Sequence, residues 1–303
     1  MRVDPNYVTN LVGSLDQTQA NEQQLTAELS SGVSINSLSQ NPVAAGENVV
    51  LLNQIQQDDS FTQNSDLVSG QLQVADSTLG SVVTQLTQAI SLATSANNGT
   101  MNASDVKSVS NQISGILDEV QSLANTNYQG QYIFAGGQTS TMPFTTSTTN
   151  SPNVTTYNGN GDINYLETPN GQKIQLNVPG SQVFLGTGAN SVFGALNSLV
   201  ADYSTGTVDT TQAVADTQAL NTALGYVSQQ RVVIDNSISQ VTAAGEAVTG
   251  NQTQLTVAQT NLMQADVGQV STQLSLAETQ QTALEDVIAQ LDSASNSLFS
   301  KLQ

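Results

Sequence analysis

The chain has 303 residues, with 5 basic against 24 acidic side chains, a formal net charge of −19 and no Cys, His or Trp. That inventory excludes a thiol nucleophile, an imidazole base, a disulfide, and zinc or haem held by Cys or His. It also excludes a basic surface for nucleic acid or anionic lipid, because Arg2, Lys107, Lys173, Arg231 and Lys301 are the whole positive complement. Charged residues make up 10% and hydrophobic ones 38%. Most of the remainder is Ser, Thr, Asn and Gln, far from ordinary globular usage. The start, Met1-Arg2-Val3-Asp4-Pro5-Asn6, lacks the apolar stretch of a secretory signal. No run approaches the roughly 18 apolar residues of a membrane span, so no membrane insertion is expected. Cysteine absence fits a reducing cytoplasm or an exposed surface equally. The length allows about two domains.

In chain order, Asp4-Pro5 offers a capping acceptor and a first-turn proline. Val8, Leu11, Leu15, Thr18, Glu22, Leu25 and Leu29 then recur at alternating spacings of three and four. This is a coiled-coil seam weakened at Thr18 and Glu22. Gly32 suits a left-handed cap. Asn41-Pro42 opens a second helix, whose seam becomes regular at Val68, Leu72, Ala75, Leu79, Val82, Leu86, Ala89, Ala93 and Ala96 before Asn97-Asn98-Gly99 stops it. Continuous from Pro42 to Ala96, it would run roughly 80 Å, a length that belongs to a rod. A third helix starts near Asn102 and carries Val106, Val109, Ile113, Ile116, Val120 and Leu123.

Residues from about Tyr128 to Gly188 change character. Turn clusters Asn158-Gly159-Asn160-Gly161-Asp162 and Pro169-Asn170-Gly171 separate short runs such as Tyr132-Ile133-Phe134 and Ile174–Val178. Those are strand and hairpin signals. Phe193, Leu196 and Leu199 mark a short helix. The seam resumes from about Thr211 through Leu224, Val227, Arg231, Ile234, Ile238, Val241, Gly245, Val248, Gln252, Leu255, Gln259 and Leu262. A last tract follows: Val267, Val270, Leu274, Ala277, Gln281, Leu284, Ile288, Leu291, Ser295, Leu298 and Leu302.

The expected fold is therefore mainly α: a long antiparallel coiled-coil-like helical rod formed by the N- and C-terminal halves, with a small β-rich inserted domain. Its parts are an N-terminal assembly arm (1–40), the rod's N-terminal half (41–137), the separable insert (138–188), the rod's C-terminal half (189–265) and a C-terminal assembly arm (266–303). Positions flanking the seams are mostly Gln, Thr, Ser and Asn, where a solitary coiled coil carries charges. Such surfaces suit lateral packing against many similar helices; a general preference for polar uncharged residues explains them as well.

Candidate chemistry is thin. The adjacent carboxylates Asp58-Asp59, Asp118-Glu119 and Glu285-Asp286 lie on helices whose seams point elsewhere, so they read as solvated faces rather than an acid–base pair. Asn158, Asn160, Asp162 and Asn164 alternate acceptors but lack the glycine and terminal Glu of a calcium loop, so a hairpin turn fits better. Gly186-Thr187-Gly188 lacks a phosphate-loop continuation. No catalytic residue, metal site or cofactor is expected, and no enzyme.

Leu29-Ser30-Ser31-Gly32, followed by Ile35-Asn36-Ser37 and Asn41-Pro42-Val43-Ala44-Ala45, resembles the N-terminal signature of bacterial flagellins and their relatives. Leu123–Asn127 and Gly130-Gln131-Tyr132-Ile133-Phe134-Ala135-Gly136 resemble, within that superfamily, the flagellin-like hook-associated proteins of the hook–filament junction (the FlgL family). Pro143-Phe144, Tyr157-Asn158-Gly159 and Gln280–Leu284 fit the same pattern. The signature residues are thus Ser30, Ser31, Asn41, Pro42, Tyr132, Phe134 and Gly136. Two departures concern charge: Val33-Ser34 stands where the family usually has basic residues, and Gln40-Asn41 where it often has acidic ones.

The resemblance implies a structural, motility-related subunit, exported by the flagellar type III apparatus and located at the junction between hook and filament. Its implied partners are other copies of itself in a ring, the neighbouring hook-associated junction protein, flagellin and an export chaperone. Assembly and packing positions are expected at Leu15, Leu25, Leu29, Gly32, Leu274, Leu284, Leu291 and Leu298, any one of which serves equally well in an intramolecular core. A filament flagellin is the nearest alternative. A stalked surface adhesin, with residues 138–190 as its binding head, is a second.

Overall fold

The computed structural model describes residues 5–35, 41–147, 154–186 and 191–301. Asp4, Asn36, Ser37, Gln40, Thr187, Gly188 and Leu302 lie outside the described residues, as do the side chains of Val8 and Leu298. The architecture is mainly α, with six helices among the described residues: α1 (Pro5–Ser31), α2 (Pro42–Ala96), α3 (Ala103–Ala124), α4 (Val192–Ser204), α5 (Thr210–Met263) and α6 (Val267–Lys301). Between α3 and α4 lie three two-stranded antiparallel sheets: β1 (Asn127–Tyr128) with β2 (Gln131–Tyr132), β3 (Phe144–Ser147) with β4 (Val154–Tyr157), and β5 (Tyr165–Glu167) with β6 (Lys173–Gln175). A five-residue π-helix, Ser181–Leu185, follows. Packing divides the chain into two compact units, Met1–Gln57 with Asn251–Gln303, and Asp58–Gly250.

The central unit, Asp58–Gly250, holds one continuous core. Every seam residue of α2 from Val68 to Ala96 is buried there. That stripe meets α3 through Val106, Val109, Ile113, Ile116 and Val120, and meets α4 through Phe193, Leu196 and Leu199. From α5 it receives Leu220, Ala223, Val227, Ile234 and Val241. Here α2 and α5 run antiparallel, since Asn97 faces Thr217 at one end while Asp76 faces Arg231 further along. Helix starts follow from local acceptors: Asn102 Oδ1 accepts from Ser104 N and Asp105 N, and Ser191 Oγ accepts from Gly194 N.

Arg231, a cation at a seam position, is explained by its partner. Its Nε and Nη2 donate to Asp76 Oδ1 and Oδ2 at 2.8 and 3.1 Å. This paired fork fixes the relative register of α5 and α2 more sharply than an apolar contact does. Gly80 gives the guanidinium room on α2, the place of a Cβ lying 3.5 Å from Arg231 Cζ.

Three expectations need correction. Asp58, read as part of a solvated face, is buried. The α2 spacing extends back from Val68 through Ser65 and Phe61, which puts Asp58 on the seam. Val267, the first residue of the last tract, is 55% exposed because burial in α6 begins one turn later at Val270. The strand runs are also shorter than their apolar patterns suggest. Within those two runs the strands are Gln131–Tyr132 and Lys173–Gln175, while Ile133, Phe134 and Val178 lie in the core.

The β segment shares that core. Phe144 stacks against Phe184, Tyr157 and Phe193 with ring centroids 5.1–5.3 Å apart, and Phe134 meets Phe184 edge-on at 5.3 Å. Phe134 precedes residue 138 and Phe193, on α4, follows residue 188, so the packing around the insert reaches beyond it on both sides.

Candidate assembly site at the paired chain ends

The other unit is built from the two chain ends and the flanking turns of α2 and α5. Helix α1 stops because Gly32 adopts φ +69° and donates its N–H to Glu28 O at 2.9 Å. A left-handed residue there is cheap only for glycine. The chain then pairs with the break between α5 and α6. Ser34 N donates to Met263 O at 2.7 Å, Ala265 N donates to Gly32 O at 2.9 Å, and Val33 bridges Gln264 in antiparallel fashion. Ser34 Oγ adds a bond to Met263 O at 3.1 Å. The Leu29–Gly32 signature is therefore a helix stop that delivers Val33 and Ser34 to the opposite helix break, and neither bond from Ser34 to Met263 uses charge. Helix α2 restarts from Asn41, whose Oδ1 accepts from Ala44 N at 3.1 Å, with Pro42 in the first turn.

This unit buries little. Its core cluster is Leu25, Ala265, Val270 and Ala277, with Leu274 partly buried against it. Gln24 Nε2 donates to Glu28 Oε1, while Glu22 Oε1 is buried without a donor among the described residues. Meanwhile Tyr7, Val12, Leu29, Val43, Val49 and Val50 are exposed on the N-terminal side, Val43 at 80%. Val257, Val267, Leu276 and Val287 are exposed on the C-terminal side. A groove of about 480 Å³ lies beside the signature turn, lined by Gly32, Val33, Asn48, Gln259 and Met263 among others.

The expected assembly positions fall into three groups. Leu25 and Leu274 meet inside the small cluster between α1 and α6. Leu15, Leu284 and Leu291 are half-buried, and Leu29 is exposed. Gly32 is the helix stop. Ser30 and Ser31 are exposed at the end of α1, and Ser31 Oγ accepts from Val33 N.

The remaining signature residues lie elsewhere, in the aromatic core of the central unit. Phe134 is fully buried, and its carbonyl accepts from Gly180 N at 2.8 Å and from Tyr157 OH at 2.9 Å. Gly136 has φ +70°, and the Asn160 carbonyl oxygen occupies the place a Cβ would take. Tyr132 is half-buried in β2. The Phe-Ala-Gly stretch is thus a packing motif, required because only glycine lets the Asn160 loop close over it. Sequence reasoning missed the Asp76–Arg231 pair, although the cation on an apolar seam was its signal. Among the described residues no group of three or more acidic side chains is arranged to hold a metal ion.

Residues 6–139 are similar to the family of the bacterial flagellin N-terminal helical region. Two curated relatives are both flagellar hook-associated protein 3. That of Salmonella typhimurium is 27% identical over 61% of this chain and 57% of the relative; that of Escherichia coli is 32% identical over 46% and 44%. The chain thus spans about half the length of the curated relatives it matches. A solved structure from Vibrio parahaemolyticus, provisionally described as a flagellar hook-associated protein, shares the fold. Its TM-score is 0.67 at 18% identity, covering 74% of this chain and all of that one.

Proposed function

We propose that this chain is a structural subunit of the bacterial flagellum, forming the junction ring between hook and filament. The observation that carries the reading is the contrast between its two units. The central unit fully buries its apolar stripe, whereas the paired ends leave seam positions Leu11, Leu15, Leu274, Leu284 and Leu291 half-buried around a small cluster of Leu25, Ala265, Val270 and Ala277. A surface of that kind is completed by neighbouring subunits. Exposed Leu29 and half-buried Leu15, Leu284 and Leu291 are the positions from which the arms, 1–40 and 266–303, reach other copies in the ring, the adjacent hook-associated protein and flagellin. The work is mechanical rather than catalytic. Export through the flagellar apparatus with a chaperone, as for a protein that ends at the distal hook, completes the reading.

The names of the curated relatives favour a hook-associated protein over a filament flagellin. The adhesin reading gains no support, because Phe134, Phe144, Phe184 and Phe193 all point inward, leaving Tyr165 as the exposed aromatic of the β segment. Deleting the gene is the test. Cells should carry hooks without attached filaments and release flagellin into the medium; full-length filaments and normal swimming would refute the junction role.

A further inference from the structure

Within the central unit, the seam between α2 and α5 is interrupted by two small residues. On α2 the buried stripe runs through Phe61, Ser65 and Val68, and on α5 Val241 and Val248 are buried on either side of Gly245. A Cβ placed on Gly245 would meet nothing within 4 Å. With serine on one wall and glycine on the other, a groove of about 470 Å³ is left between the helices. Its lining includes Ser65, Asp66, Ser69, Val241, Gly245 and Glu246.

Ser65 is 4% exposed, yet its Oγ has no hydrogen-bond partner among the described residues. Other hydroxyls of the same walls bond back to the carbonyl four residues earlier. Thr62 Oγ1 donates to Asp58 O and Thr249 Oγ1 to Gly245 O, each at 2.9 Å. Ser65 does not use that outlet, so its hydroxyl is left to whatever fills the groove. A buried hydroxyl without a partner is costly. Asp66 and Glu246, one from each helix, are exposed on the rim, and neither makes an ion pair among the described residues.

We propose that this groove binds a primary ammonium group carried on a short aliphatic stem. An ammonium has three donors and no acceptor, and the groove offers it one buried hydroxyl and two carboxylates. The stem lies along Val241 and Gly245, as lysine stems lie along apolar surface elsewhere. A bare metal ion fits less well. It would leave most of the 470 Å³ empty, since one water occupies only about 30 Å³, and only two carboxylates line the space. The group has two sources, a free amine or a lysine of a second copy of this chain. Exposed Lys107 and Lys173 make no ion pair among the described residues and are the lysines available for the second.

The test is an amide NMR titration of the full chain with butylamine. Shifts should be confined to the groove and saturate in the millimolar range. Ser65→Ala should weaken binding about tenfold or more without lowering Tm, because it removes an acceptor for the ammonium and an unpartnered hydroxyl together. Gly245→Leu, whose side chain fills the gap, should abolish binding. Sedimentation of the full chain with and without butylamine separates the sources. If the amine dissociates paired copies, the group belongs to a lysine of the second copy; if association is unchanged, it belongs to a free amine. No shift at ~50 mM butylamine, or unchanged affinity in Ser65→Ala or Gly245→Leu, would overturn the proposal. Equal binding of tetramethylammonium, which has no N–H donor, would also overturn it. So would magnesium or calcium shifting the same amides at lower concentration, since the groove would then be a metal site.

Discussion

In the free monomer, amides of Leu11–Leu29 and Leu274–Leu291 should exchange at least about a thousandfold faster than those of Leu72–Leu86. Ordering a residue's backbone costs roughly 1–2 kcal/mol, while fully burying one Leu or Val returns about 1.5–3 kcal/mol. Over the 27 residues of α1 the buried apolar contribution is Leu25, helped by half-buried Leu11 and Leu15. Glu22 adds a buried oxygen without a donor among the described residues. Helix α6 contributes Val270 and Ala277, with Leu274, Leu284, Ile288 and Leu291 half-buried. By contrast Leu72, Leu79, Val82 and Leu86 are each no more than 1% exposed. Their opening requires unfolding the central core. On assembly, covering the exposed apolar side chains should bring the ends close to the protection of the centre. Strong protection of both ends in a verified monomer would show that α1 and α6 are held by each other alone.

Phe144→Ala should destabilise the central unit by about 3–5 kcal/mol, the usual cost of emptying a buried aromatic site. For a unit of this size that lowers Tm by roughly 6–20 °C. The ring touches Tyr157, Phe184 and Phe193, and the place of a Cβ on Gly180 lies 2.7 Å from Phe144 Cε2, so the surroundings are rigid on several sides. The backbone at this position is also tied down, since Phe144 N donates to Asn125 Oδ1 and Phe144 O accepts from Asn125 Nδ2. A Tm change of less than about 2 °C, read by circular dichroism, would mean that the aromatic cluster does not organise the β segment.

Much of this was legible in the sequence, for physical reasons that differ by region. The second helix was, because its seam from Val68 to Ala96 keeps strict spacing and every position on it is buried. Its ends were legible too, because Asn41-Pro42 and Asn97-Asn98-Gly99 carry cap and stop chemistry, with Gly99 at φ +66°. The burial of Asp58 was hidden because a charged side chain on a seam looks like an exposed one when only residue type is read. Strand lengths were misjudged at Tyr132–Phe134, since an apolar triplet does not distinguish pairing from turning inward. Of the candidate site, the Gly32 stop was readable from its residue type. Its hydrogen-bonded partners, Met263 and Ala265, lie more than two hundred residues away and were not.

The measurement that bears most directly on the central claim is immunogold labelling of isolated, intact flagella with antibody against this chain. A junction subunit predicts one short labelled zone at the distal end of each hook and an unlabelled filament beyond it. Continuous labelling along the filament would contradict the account and make the protein a filament flagellin.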